Sequence, residues 1–175
     1  WSSDVCSSDL VVTGGNSGIG NSTARKLKEL GANVVITGRN AQAVESAAGE
    51  LGVMGVVADQ ASLDDIDTLV SQVKEKYGSV DVLFINAGVA AFAPVEQLSE
   101  EQFDATMNVN FKGAFFTLQK FLPILRDGAS VINLSSINAY TGMPNTAVYA
   151  ASKAALNSLT RTAAYELAPR KIRVN

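Results

Sequence analysis

The sequence predicts an α/β fold in which helices wrap a parallel sheet, and three observations carry that expectation. Short β-branched runs alternate with amphipathic helical stretches along the chain, as in successive βαβ units. A glycine-rich turn, Thr13-Gly-Gly-Asn-Ser-Gly-Ile-Gly20, sits where the first apolar run gives way to the first helical one. The composition, 47% hydrophobic and 18% charged over 175 residues, suits one domain with a substantial core.

Taken in order, the strand candidates are Leu10 to Thr13, Asn33 to Thr37, Gly55 to Ala58, Val80 to Asn86, Ser130 to Leu134 and Ile172 to Asn175. Helical stretches are expected near 19–30, 41–51, 62–77, 99–125 and 149–168. Ser62-Leu-Asp-Asp65 and Ser99-Glu-Glu-Gln102 read as capping boxes, in which side chains satisfy orphan N–H groups at a helix start. Pro169 is expected to stop the last helix. Residues 1–9 repeat a Ser-Ser-Asp tripeptide with no helix or strand period, and are expected to be a non-native or disordered leader before a single domain over 10–175. At the other end the chain stops at Ile172-Arg-Val-Asn175, inside a strand, so the domain is expected to continue beyond it.

Composition also narrows the partners. Net charge is -3, and no basic run exceeds Arg25-Lys26, so neither nucleic acid nor an anionic membrane surface has a docking patch. A small-molecule partner is the expectation. The single Cys6 cannot form an internal disulfide, and a chain with no histidine has no zinc-ligand spacing, so no metal site is expected. Apolar runs too short to span a bilayer, no secretory signal and one cysteine together point to a reducing cytoplasm.

The glycine turn has a physical reading. Gly14 permits the tight bend, Gly18 lets backbone N–H groups approach a pyrophosphate, and Gly20 allows a helix to pack closely on a strand. Its spacing differs from the GxGxxG fingerprint, and a glycine turn that merely permits positive φ is the competing reading, which the strand-to-helix context disfavours. An acid that would bind an adenosine ribose is missing, because no Asp or Glu occurs from Leu30 through Val44. Gly38 stands in its place and Arg39 follows, so a 2'-phosphate would find a guanidinium there; a solvated surface arginine is the alternative. Far along the chain, Tyr149 and Lys153 in Tyr-Ala-Ala-Ser-Lys lie one helical turn apart on one face. Without histidine, this pair is the candidate for acid/base work: tyrosine ordinarily titrates near 10, and an adjacent cation favours its phenolate.

The glycine turn, Asp59 after the third strand, Asn86-Ala-Gly88, Asn110 within Asn-Val-Asn-Phe-Lys-Gly, and Ser136 thirteen residues before Tyr149 form a set. From Leu10 to Asn175 this set resembles the short-chain dehydrogenase/reductase family, in its branch with a Tyr-x-x-x-Lys site. The resemblance implies a three-layer Rossmann-type doubly wound parallel sheet, incomplete because the final strand and the substrate loop are missing. It implies an NAD(P)-dependent oxidoreductase that interconverts a secondary alcohol and a ketone or related carbonyl. Tyr149 would be the acid/base and Lys153 its cationic partner, which also holds the nicotinamide ribose. Ser136 would polarise the substrate oxygen, and Asn110 would distort its helix and hold a water that relays protons to Lys153. Cofactor contacts are implied for Gly14, Asn16, Ser17, Gly18, Ile19, Gly20, Arg39, Asp59, Gln60, Asn86, Ala87, Gly88, Tyr149 and Lys153.

With Arg39, the cofactor expected is NADP(H) in preference to NAD. Asp59 could equally be a structural cap. Each side chain also has a bland reading, such as Tyr149 as an amphipathic core residue or Lys153 as a solvated one, and the joint register of the set disfavours all of them. Two alternatives stand beside the enzyme: a nucleotide-binding regulatory or scaffolding protein of the same fold, and an inactive fragment. Val89 to Phe92 and Ile137 to Tyr140 are expected to border an apolar pocket. Family relatives pair the helices matching 99–125 and 149–168 across a two-fold axis, which implies a homodimer or homotetramer.

Overall fold

The computed structural model describes residues 8–175. Six strands form one sheet, β1 (Asp9–Val12), β2 (Asn33–Gly38), β3 (Met54–Val57), β4 (Val80–Ile85), β5 (Leu125–Asn133) and β6 (Arg173–Val174). Their order is β3-β2-β1-β4-β5-β6, and every neighbouring pair is parallel. Strand order reverses between β1 and β4, the switch point that defines a doubly wound sheet. The Rossmann-type expectation therefore holds.

Alternation within the strands builds the three layers. Leu10, Val12, Val34, Ile36 and Phe84 face α1 (Gly18–Glu29) and α2 (Ala41–Leu51), packing with Ala24, Ala47, Ala48 and Leu51. Val11, Val35, Leu83, Ile85 and Val131 face the other way, toward α3 (Leu63–Tyr77), α5 (Ala114–Phe121) and α6 (Ala147–Leu167), among Leu69, Val73, Leu118, Phe121 and Leu156. Strands buried on both faces read as continuous apolar runs. Ile132, in register with Phe84, is 41% exposed on the α1 side of the sheet.

Several boundaries moved for identifiable reasons. β1 starts at Asp9, inside the expected leader, because its backbone N–H donates to Asp81 and its carboxylate accepts from Asn33 and pairs with Arg126. Residues 1–7 lie outside the described residues. β5 begins five residues before the expected Ser130, since Leu125 pairs with Val80 and the ladder resumes at Ser130 with Val82. The intervening stretch carries Gly128 at φ 87°, a turn-forming conformation that reads as a loop in sequence.

The expected helix over 99–125 is three consecutive pieces: α4 (Glu100–Met107), a π-helical turn (Asn108–Gly113) and α5. It ends at Phe121, since Pro123 cannot continue a helix. α6 begins two residues early, at Ala147, and stops at Leu167 just before Pro169. Ser99 and Gln102 form the full capping box. Ser62 caps α3, but the Asp65 carboxylate accepts from the backbone N–H of Asp59 instead of closing the box.

Two glycines in helical stretches should respond oppositely to alanine. At Gly113 a Cβ would run into the Gln60 carbonyl, so Gly113→Ala should cost about 1–3 kcal/mol. Gly49 lies in α2 with open space where its Cβ would sit, so Gly49→Ala should gain about 0.4–1 kcal/mol. Urea denaturation of both variants checks the pair, and equal shifts in one direction would contradict the packing at Gly113.

Candidate active site

The glycine turn follows β1, and its shape is fixed from two sides. Gly14 has φ 63° and Gly18 φ 54°, the left-handed region that glycine enters without penalty. A Cβ at Gly14 would lie 2.9 Å from Ala87 Cα, one at Gly15 would lie 2.7 Å from the Ile36 side chain, and one at Gly20 would strike the Gly14 carbonyl. Gly20 thus packs α1 on the turn itself, where the sequence reading had it packing on a strand. Gly18 differs, because a Cβ there would meet nothing within 4 Å. Ser17 occupies the N-cap of α1 without making a cap bond, and Ser17, Gly18 and Ile19 are all exposed. The helix start therefore presents N–H groups, with their partial positive charge, into open space.

Thr13 is the residue that sequence reasoning missed here. Its buried hydroxyl accepts the backbone N–H groups of Asn86 (3.1 Å) and Ala87 (3.0 Å), while Asn86 Nδ2 donates to the carbonyls of Thr13 (2.9 Å) and Gly14 (3.1 Å). Four bonds lock the end of β4 to the glycine turn. A threonine at a strand end carries no sequence signal of this role.

On the outer side, Gly15 N–H donates to the Thr37 carbonyl at 2.9 Å, tying the turn to β2. Asn16 lies over Gly38, where a Cβ would meet its side-chain oxygen. Arg39, one residue further, is exposed and makes no hydrogen bond or ion pair among the described residues.

Asp59 and Gln60 follow β3 and serve their own surroundings. Asp59 accepts from Ala61 N–H at 2.9 Å, closing a turn before α3. Gln60 is buried, and its Nε2 donates to the carbonyls of Ala87 (3.1 Å) and Val109 (2.9 Å), leaving Oε1 buried without a partner. Its side chain is spent on the scaffold.

Asn110 sits at the centre of the π turn, 1% exposed. Its Oδ1 accepts Val89 N–H at 2.8 Å, and its Nδ2 donates to the Val89 carbonyl (2.8 Å) and to Ser152 Oγ (3.0 Å). Ser152 in turn donates to the Tyr149 carbonyl at 2.7 Å. The expected helix distortion is present. Both side-chain amide hydrogens are committed to protein acceptors.

Lys153 is 4% exposed and donates from Nζ to the Leu134 carbonyl at 2.6 Å, with Nζ 5.8 Å from the Tyr149 ring centroid. No carboxylate of the described residues pairs with it. Burial alone pushes its pKa below the ordinary lysine value of 10.5. A Cβ on Gly88 would come within 3.3 Å of Asn110 Oδ1 and 3.5 Å of Lys153 Nζ, so the bare glycine is what lets these groups converge. Tyr149 is half-buried on the first turns of α6, with its ring 6.2 Å from that of Phe92. Ser136 caps a 3-10 turn (Ile137–Ala139) that packs on α6, and its Oγ accepts Asn138 N–H at 3.2 Å.

The glycine turn, Asn86 to Gly88 and Ser136 follow the C-terminal ends of β1, β4 and β5, around the switch point where open α/β sheets bind ligands, while Arg39 follows β2 and Asp59 and Gln60 follow β3. Among the described residues, no helix is long and apolar enough to cross a membrane.

Comparison with known proteins agrees with this fold. The pattern of the short chain dehydrogenase family matches residues 9–175. The oxidoreductase asL5 of Sarocladium schorii is 38% identical over 172 residues, spanning 94% of this chain and 68% of that protein. A short-chain dehydrogenase/reductase of Brucella melitensis, described as a glucose/ribitol dehydrogenase, superposes with a TM-score of 0.92 at 35% identity, covering 96% of this chain and 73% of the other. A 3-ketoacyl-(acyl-carrier-protein) reductase from the same organism, solved with NADH, gives 0.91 at 34% identity, covering 95% and 72%. Sequence and fold thus agree over the same residues that assemble the site, and the chain belongs to the short chain dehydrogenase family of oxidoreductases.

Proposed function

We propose that the protein reduces a ketone, or oxidises the matching secondary alcohol, with NADP(H) as the cofactor and Tyr149 as the acid/base. The observation that carries this reading is the convergence of a buried Lys153, with no carboxylate partner among the described residues, on the face of Tyr149 beside an uncapped glycine turn. The residues fit a dinucleotide: α1 begins with no side-chain cap, and a Cβ at Gly18 would meet only open space. A dinucleotide with its pyrophosphate held at that turn would supply or accept a hydride through its nicotinamide. In reduction the Tyr149 hydroxyl gives its proton to the carbonyl oxygen; in oxidation it takes the alcohol proton. Lys153 steadies the negative charge that the phenol oxygen carries between these steps. Ser136, half-buried in the turn packed on α6, holds the substrate oxygen by hydrogen bonding. Asn110 is assigned a positioning role, since its side chain joins the loop at Val89 to α6 through Ser152.

Removing the phenol oxygen should remove the proton donor and little else. Tyr149→Phe is expected to lower kcat by about 10²–10⁴-fold while cofactor affinity stays within a few fold. Stopped-flow turnover beside a fluorescence titration of NADPH checks this; wild-type rates in the Phe variant would remove Tyr149 from the mechanism.

Lys153 gives a stability signature as well. Its folded pKa lies below the unfolded value of 10.5, so between the two the unfolded chain holds a proton that the folded one releases. Stability therefore climbs as pH rises through that window and levels off above 10.5. Lys153→Met should lack this climb. Urea midpoints of both proteins at neutral pH and near pH 10, compared as a difference, test it; parallel curves would mean that Lys153 titrates normally.

For the cofactor, an exposed Arg39 without a partner among the described residues, beside a stretch without carboxylates, favours a 2'-phosphate, with a preference of about ten- to a hundredfold. Arg39→Ser should erase most of that preference, and high salt should shrink it in the unmodified protein. Gly38 is left intact in this test, since any side chain there presses on Asn16. Paired NADP and NAD titrations that gave equal affinities in the unmodified protein would return Arg39 to the solvated surface.

A further inference from the structure

Phe92 is 64% exposed, yet its ring lies 6.2 Å from Tyr149 at an interplanar angle of 57°. Singly exposed apolar side chains are common on protein surfaces, but this one stands against the ring of the candidate acid/base. Its position is also held. Ala93 N–H donates to the Asn145 carbonyl at 3.1 Å, joining the loop after β4 to the segment that leads into α6. Asn145 reaches that bond from a left-handed conformation, φ 65°, which asparagine tolerates better than most residues. Just beyond, Thr146 Oγ1 donates to the Met143 carbonyl at 2.8 Å and Thr146 O accepts Ala150 N–H at 2.8 Å, so the same bend sets the start of the helix that bears Tyr149.

Charge is absent from both segments. Residues 88–95 and 134–152 contain no Asp, Glu, Lys or Arg. Three more apolar side chains stand uncovered along the second segment: Ile137 at 68% and Tyr140 at 76% exposed, at the two ends of the short turn that packs on α6, and Met143 at 53%. An anionic substrate would leave its charge without a partner beside these residues, and a small aliphatic one would leave Phe92 bare.

Resting on the reading of Tyr149 given above, we propose that Phe92 is the specificity-determining wall of the substrate site, seated by the Ala93–Asn145 bond, and that the substrate is an uncharged ketone or alcohol with an aryl or similarly flat apolar substituent. The substituent covers the Phe92 ring while the carbonyl oxygen lies at Tyr149. Asn145 is a positioning residue in this scheme and touches nothing that reacts.

The test compares kcat/KM for three probes, acetophenone, acetone and the anionic ketone 4-acetylbenzoate, across four variants. The unmodified protein should prefer acetophenone over both others. Phe92→Ala should cut the acetophenone-to-acetone ratio about tenfold, and Phe92→Tyr should retain it. Asn145→Gly, which enters the left-handed region freely, should keep the ratio, while Asn145→Val, β-branched and disfavoured there, should lower it toward that of Phe92→Ala. A merely structural role for Asn145 would change expression or rate for all probes and leave the ratio untouched.

Calorimetric titration of acetophenone into the protein supplemented with oxidised NADP supplies a readout without turnover, since neither molecule can then give the other a hydride. Phe92→Ala should bind this ketone about tenfold more weakly than the unmodified protein, and Phe92→Tyr within a few fold of it. No turnover of any probe by the unmodified protein, with this binding pattern intact, would count against the role of Tyr149 alone. Equal ratios in Phe92→Ala, a preference for 4-acetylbenzoate, or no binding of acetophenone to the unmodified protein would each overturn the role of Phe92.

Discussion

A buried ammonium with no counter-ion among the described residues is the constraint around which the site is arranged. Lys153 brings a positive charge to a place 4% exposed, and the chain offers its Nζ the Leu134 carbonyl and the face of the Tyr149 ring. Burying a lone cation costs several kcal/mol even after relaxation. A carboxylate would have removed that cost, and would also have neutralised the charge. Carbonyl and ring dipoles hold the amine while leaving most of its field to act on whatever lies next to Tyr149.

Placing that amine requires an irregular helix. An α-helix continued through residues 108–113 would carry side chains forward at a fixed angle, whereas the π turn inserts an extra step and rotates Asn110 inward. From there one amide reaches the loop after β4 at Val89 and α6 at Ser152. The same turn receives Gln60 from the loop after β3 at the Val109 carbonyl, and Gly113 lies flush on the Gln60 backbone. Loops after two strands and the helix bearing Tyr149 and Lys153 thus meet on a single helical irregularity. Irregular helix geometry is common at functional sites for this reason: only a local change of phase brings one side chain to three elements at once.

How far the sequence revealed this depends on which physical signal each part leaves. Strand alternation and helix periodicity are written in residue type, so the sheet, its flanking helices and most of their bounds were legible from Leu10 onward. The full capping box at Ser99 was legible for the same reason. Tertiary bonds leave no such trace. Nothing in the sequence distinguishes Thr13 from other strand-end threonines, although its hydroxyl joins β4 to the glycine turn. The early start of β5 was hidden by Arg126-Asp-Gly128, which reads as a turn and is instead an irregularity within a strand. Asp9 looked like the tail of a leader because its value to the fold lies in partners 24, 72 and 117 residues away.

Residues expected at the site divide, in the structure, by what their side chains have left to give. Asn86, Gln60 and Asn110 give their amide hydrogens to the protein's own backbone and to Ser152, and one Asp59 carboxylate oxygen accepts the Ala61 N–H. Ser17, Ile19 and Arg39 face solvent, and Tyr149 is half-buried beside an uncovered Phe92. The first group builds a rigid floor whose shape cannot adapt to a ligand, because each buried amide would lose its partners if it turned. The second group is where discrimination can reside. On the function proposed above, selection between cofactors would fall to the outer edge at Arg39, and selection between substrates to the rim at Phe92.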